Sequence, residues 1–112
     1  MIHFKLRRAE NGFIKSFSCT GHAGYADRGN DVVCAAVSML VINTINSIDR
    51  LLPEDAANME VLSDDDEGMI SCEFKSPPSE KAALLLESLY YGISDSEKNY
   101  GCEYLKLTEE RQ

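Results

Sequence analysis

Two side chains in this sequence can do covalent chemistry together: His22 and Cys34. They flank a short glycine-bearing stretch, Gly24 to Gly29, and Asp31 precedes the cysteine where a helix is set to begin. Cysteine attacks a carbonyl as the thiolate, and a helix N-terminus and a nearby imidazole are two ordinary ways to favour that form. The chemistry on offer is acyl transfer to sulfur followed by hydrolysis.

Asp31 is a good N-cap residue, which makes Val32, Val33 and Cys34 the first helical positions. Backbone N–H groups at a helix start lack helical partners and carry partial positive charge. They favour a thiolate at position 34 and can donate to the oxyanion of a tetrahedral intermediate. His22 would take the thiol proton and return it to the leaving amine. Asp31 or Asp27 would orient the imidazole; Asp31 is preferred, although capping competes for the same oxygens. Ser38 lies one turn beyond Cys34 on the same helical face and lines the site. Gly21, Gly24 and Gly29 suit a lid or substrate loop, or a merely flexible connection.

Two other readings stand beside this one. Free cysteine is commonly buried, and Ala35-Ala36-Val37 follows Cys34, so the thiol can be plain core. Cys19, His22 and Cys34 could bind zinc, but the set lacks a clear fourth ligand, so no metal and no cofactor is expected.

The elements that must position these residues follow from periodicity. Ile2, Phe4 and Leu6 alternate with His3, Lys5 and Arg7, the pattern of a half-buried strand. Asn11-Gly12 marks a hairpin whose two central positions need positive φ, and Phe13 to Thr20 returns. From Asp31 the period changes: Val33, Val37, Leu40, Val41, Thr44 and Ile48 share one helical face up to Leu52, before Pro53. Met59 to Leu62 and the alternating Ile70, Cys72 and Phe74 form a second hairpin around the acidic turn Ser63 to Gly68. Ser76-Pro77-Pro78-Ser79 opens a second helix, with proline tolerated in its first turn. Ala82, Leu85, Leu86, Leu89, Tyr90 and Ile93 form its buried face, and Cys102 to Thr108 closes the chain as a strand. The order ββαββαβ predicts an α+β fold, a small mainly antiparallel sheet with two helices packed on it.

Bulk properties narrow the function. The 112 residues fit one domain, 1–112, with an ordinary 44% hydrophobic and 27% charged content. No run approaches the roughly 18 apolar residues of a membrane span, and the start lacks a secretory signal, so a cytoplasmic protein without a membrane partner is expected. Cys19, Cys34, Cys72 and Cys102 are too widely spaced for a disulfide scaffold; reduced thiols are expected, with Cys72 and Cys102 packed in strands and His3 exposed. A net charge of -8 argues against direct nucleic-acid binding and suits a basic protein partner. The run Asp64-Asp65-Asp66-Glu67 reads as a solvated turn, since it lacks the ligand spacing of a calcium loop.

The segment Gly21-His22-Ala23, followed by Gly29-x-Asp31-x-Val33-Cys34-Ala35-Ala36-Val37-Ser38, resembles the signature of the ribosomal-processing cysteine protease family, Prp. Length, element order and the acidic second turn are also similar, so the resemblance spans nearly the whole chain. It implies Cys34 as nucleophile and His22 as base, with Asp31 and Ser38 in support. It also implies a substrate, a ribosomal protein precursor: the twenty-seventh protein of the large subunit, made with an N-terminal extension that is cut after a phenylalanine-containing motif. Family members form homodimers, so a homodimer is expected. From a different class, the alternative is a non-catalytic module that binds a ribosomal protein or assembly factor.

Overall fold

The computed structural model describes residues 1–24, 26 and 31–111. Among the described residues five strands and three helices follow one another as β1 (Ile2–Arg8), β2 (Ile14–Thr20), α1 (Val32–Leu51), α2 (Pro53–Ala57), β3 (Met59–Asp64), β4 (Met69–Phe74), α3 (Glu80–Tyr100) and β5 (Leu105–Arg111). The strands make one mixed sheet in the order β3-β4-β2-β1-β5. All neighbours are antiparallel except β1 and β5, which run parallel. The expected ββαββαβ order and the mainly antiparallel α+β architecture are therefore those of the molecule.

Side-chain alternation explains the layering. In β1 the even positions Ile2, Phe4, Leu6 and Arg8 are buried, and His3, Lys5 and Arg7 face solvent. The buried side meets Phe17 and Cys19 of β2, Cys72 and Phe74 of β4, and the apolar stripes of α1 and α3. On α1 that stripe is Val33, Val37, Val41, Thr44 and Ile48, and on α3 it is Ala82, Ala83, Leu86, Leu89 and Ile93. Each fully buried aliphatic contributes ~1.5–3 kcal/mol relative to exposure. Leu40 of α1 packs against Gly92 of α3, where an added methyl would sit 3.0 Å from the leucine Cδ2; this glycine lets the helices approach. By length and composition α1 is long and apolar enough to cross a membrane, with a mean hydropathy of 1.6, contrary to the sequence reading. Its stripe is instead spent on the sheet.

Several local expectations need correction. In the first hairpin only Gly12 has positive φ (91°), and Asn11 does not. The turn closes through Gly12 N–H to the Ala9 carbonyl, and Asn11 Oδ1 accepts from Phe13 N–H, so the asparagine acts through its side chain. Pro77 and Pro78 lie before the cap of α3, not within its first turn: Ser79 is the N-cap, and its Oγ accepts from Ala82 N–H. The buried Asp55 of α2 accepts from both the N–H and the hydroxyl of Ser79, so the unexpected short helix pins the start of α3. Cys102 is exposed in the turn between Gly101 and β5, not packed in a strand. His3 is exposed, as expected.

Arg8 continues the buried side of β1 with a charge. Its guanidinium donates to both carboxylate oxygens of Glu87 on α3 (2.5 and 3.0 Å), to Glu109 on β5 and to the Gly12 carbonyl (2.9 Å). It also lies 5.1 Å over the Tyr90 ring. Hydrogen bonding to Glu87 raises its pKa above the usual arginine value, against the opposing effect of burial. One side chain thereby ties β1, the first hairpin, α3 and β5 together. Breaking a buried ion pair costs ~3–5 kcal/mol. The two glutamates are about one-third exposed (33% and 35%), so water recovers part of that. Arg8→Leu should lower stability by about 2 kcal/mol and the melting temperature by ~8 °C. Glu87→Gln, which keeps an acceptor, should cost less than half as much. Thermal unfolding followed by circular dichroism checks both, and an unchanged Arg8→Leu transition would refute the tie.

Candidate active site

The site grows from the end of the central strand. β2 pairs with β1 on one edge and β4 on the other, and its last residue, Thr20, faces Met69. Gly21 follows with φ 93°, its N–H donating to the Gly68 carbonyl at 3.0 Å. A side chain there would collide with the carbonyl oxygen of Met1, so the position needs glycine for space as well as conformation. His22 then points outward and exposed, whereas Ala23 returns to the core.

Across from it begins α1. The Asp31 carboxylate accepts from Val33 N–H and Cys34 N–H, both at 3.0 Å to the same oxygen, which fixes the first turn. Cys34 is half-buried, and its Sγ accepts from the Ala23 N–H at 3.2 Å. The residue after the histidine therefore touches the sulfur directly. His22 and Cys34 line the same two cavities. One, of about 190 Å³, lies between α1 and the β3–β4 hairpin, with Val41, Ile42, Asp64 and Ile70 in its wall. The other, of about 470 Å³, opens past Gly24, Ala26 and Asp31. Ser38 borders both, so His22, Cys34, Asp31 and Ser38 are assembled around one opening. Gly21 and Gly24 have positive φ (93° and 71°); Gly29 and Asp27 lie outside the described residues.

The electrostatics differ from the sequence expectation. The helix start was expected to favour a thiolate and to offer free amides for an oxyanion. The Cys34 pKa is instead raised, first by burial and then by the charge and hydrogen bonding of Asp31; the Ala23 N–H and the chain's amino terminus oppose this. The Val33 and Cys34 amides are taken by the Asp31 cap, and the Ala35 N–H bonds the Asp31 carbonyl. Asp31 thus caps, and its charge and hydrogen bonding add to burial in raising the thiol pKa, against what the helix start would give the sulfur. The backbone donor aimed at Sγ comes from the strand side, at Ala23.

Two other cysteines lie deeper in the core. Burial pushes the Cys19 thiol up to about 11 and the Cys72 thiol up to about 12. Among the described residues no group of three or more His, Cys, Asp or Glu is arranged to hold a metal ion. Sequence reasoning missed Gly68, Met69, Ile70 and Ile42, which complete the wall of the smaller cavity. Glu67-Gly68 ahead of an alternating strand was the available signal for the turn, but not for its nearness to His22.

A half-buried cysteine at a helix start, sharing a cavity with a histidine at the end of the central strand, is an arrangement suited to thiol hydrolysis. The chain belongs to the cysteine protease Prp family, whose sequence model matches residues 1–106. The ribosomal processing cysteine protease Prp of Bacillus subtilis is 34% identical over 106 residues, covering 89% of this chain and 90% of its own. In fold the chain is similar to the essential ribosomal processing protease Prp of Staphylococcus aureus, solved with a covalently linked product peptide. That likeness has a TM-score of 0.88 at 22% identity and covers 98% of this chain and 100% of the other. A Streptococcus mutans protein is also similar, with a TM-score of 0.85 at 30% identity over 100% of this chain and 96% of its own.

Removing the Asp31 charge while keeping a cap separates its two effects. Asp31→Ser should lower the pH midpoint of Cys34 alkylation by iodoacetamide, because a negative charge that adds to the effect of burial on the thiol is gone, and should change stability by less than about 1 kcal/mol. In the native parent protein Cys102 and Cys34 should be modified well before Cys19 and Cys72. Mass spectrometry of digests across a pH series checks both, and an upward midpoint shift in Asp31→Ser would contradict the assigned role.

Proposed function

We propose that the chain is an endopeptidase that removes the N-terminal extension of a ribosomal protein precursor, the twenty-seventh protein of the large subunit, with Cys34 as nucleophile and His22 as general base. The observation that carries the chemistry is the 3.2 Å contact from the Ala23 N–H to Cys34 Sγ, which holds the sulfur beside the residue bearing the imidazole. His22 takes the thiol proton as Sγ adds to the scissile carbonyl carbon. Collapse of the tetrahedral intermediate passes that proton to the leaving amine and leaves a thioester. Water, deprotonated by the same imidazole, hydrolyses the thioester and frees the thiol.

A raised thiol pKa gives the base a reason to exist, since the thiolate must be made by proton transfer within the site. Asp31 supports by fixing the first turn of α1, and Ser38 by bordering both cavities. The covalently linked product peptide of the staphylococcal relative supports a nucleophile in this fold. A ribosomal protein as substrate is supported by the relatives, which are ribosomal processing proteases, and by the net charge of -8, which draws a basic partner. The same reading makes the enzyme a cytoplasmic homodimer, with Gly21, Gly24 and Gly29 in the connection that accommodates the peptide.

Cleavage of a synthetic peptide spanning a phenylalanine-containing leader junction, read by mass spectrometry, tests the reading. Cys34→Ala should lose ~10³-fold or more in rate, and His22→Ala ~10²–10⁴-fold, with unchanged circular dichroism. Full cleavage by Cys34→Ala would sink the proposal.

A further inference from the structure

The β3–β4 turn has a function that its acidic composition does not suggest. Because Thr20 pairs with Met69, the register places Gly68 beside Gly21 and next to His22. The turn is tightly built: Asp64 Oδ1 accepts from Asp66 N–H (3.1 Å) and Glu67 N–H (3.2 Å), and Gly68 N–H donates to the Asp65 carbonyl (3.2 Å). Gly68 ends it with φ 61°, and its carbonyl takes the Gly21 N–H at 3.0 Å.

What matters is the missing side chain. A methyl group on Gly68 Cα would lie 2.9 Å from His22 Nε2, 3.0 Å from His22 Cε1 and 3.3 Å from the Gly21 carbonyl. The imidazole therefore rests on the bare backbone of Gly68. We propose that Gly68 is the positioning residue of the catalytic base, its carbonyl holding Gly21 and its Cα forming the seat on which the His22 ring lies. The assignment deepens the proposed Cys34–His22 mechanism and rests on it.

The physics separates this role from simple stability. His22 is exposed, so its ring can swing away from an added methyl at little conformational cost. The fold survives while the geometry of proton transfer is lost, and small misplacements of a catalytic group are expensive in rate. Backbone strain is a separate matter, shared by any glycine of positive φ. Gly12 has φ 91° with nothing within 4 Å of an added methyl, so Gly12→Ala carries strain without a clash.

The experiment compares Gly68→Ala and Gly12→Ala in the full chain, using the leader-junction peptide. Both should melt lower by a few degrees, ~5 °C. Gly68→Ala should lower kcat by ~10-fold or more with KM within about twofold, and Gly12→Ala should leave both parameters near those of the parent. In a His22→Ala background, Gly68→Ala should produce no further loss of the residual rate, since the ring it displaces is gone. Parental kcat in Gly68→Ala, or an equal loss in Gly12→Ala, or additive losses with His22→Ala, would each overturn the assignment while leaving the Cys34–His22 mechanism standing. That mechanism fails separately, if Cys34→Ala or His22→Ala retains full activity.

Discussion

The end of β2 is the constraint on which the rest of the site depends. It is the central strand of five, hydrogen-bonded along both edges, so its last residues are the best-fixed point from which a side chain can leave the sheet. Gly21 is held by the Gly68 carbonyl and closed in by Met1, and Ala23 is buried. Between two fixed neighbours His22 has one way to go, outward. The Ala23 amide then meets Cys34 Sγ, so the strand that presents His22 also anchors the sulfur. The two ends of one connection become neighbours through an N–H to sulfur contact that no substitution at position 23, other than proline, would directly remove.

Asp31 sets up an opposition at the other side of the same contact. Its carboxylate fixes where α1 begins and hence where the sulfur sits, and in doing so it takes the amides of Val33 and Cys34 and adds negative charge beside the thiol. Precise placement and easy ionisation of one cysteine are competing demands here, and placement has been favoured. A neutral resting thiol is less open to adventitious oxidation and alkylation than a standing thiolate. In the proposed reaction the imidazole supplies at the moment of attack what the helix start does not supply at rest.

Much of this was legible in the sequence, because local rules governed it. The alternation in β1, the stripe of Val33, Val37, Val41 and Ile48, and the capping chemistry of Asp31 are short-range signals, and each named its element. The spacing of His22 and Cys34 likewise marked the two ends of one connection. What sequence could not give depends on partners distant in the chain. Alternation puts Arg8 on the buried side of β1, but nothing local shows that Glu87, Glu109 and Tyr90 gather around its charge from α3 and β5. The thiol of Cys34 reads as activated until its burial and the amides already bonded to Asp31 are counted. Cys102 continues the polarity of a strand in one dimension, but Gly101 at φ 106° ends α3 and turns the chain, and the strand starts only at Leu105. The parallel pairing of β1 with β5 leaves no local mark at all.

The two hairpins illustrate how topology assigns work to turns of similar appearance. β1 and β2 are joined at the sheet end away from His22, so the Ala9–Phe13 turn serves only structure and is clasped by Arg8 through the Gly12 carbonyl. β4 runs antiparallel to β2, so the start of β4 must lie beside the end of β2, and the β3–β4 turn is carried to the site whatever its composition. A slip of one residue in that pairing would move the core face of β4, with Cys72 and Phe74, into solvent, so burial on the far side of the strand enforces the register. The placement of Gly68 beside Gly21 and His22 is thus enforced by hydrophobic packing several residues away. The acidic side chains around it keep the turn tight through Asp64 and solvated elsewhere, and the one position without a side chain is the one that meets the His22 ring.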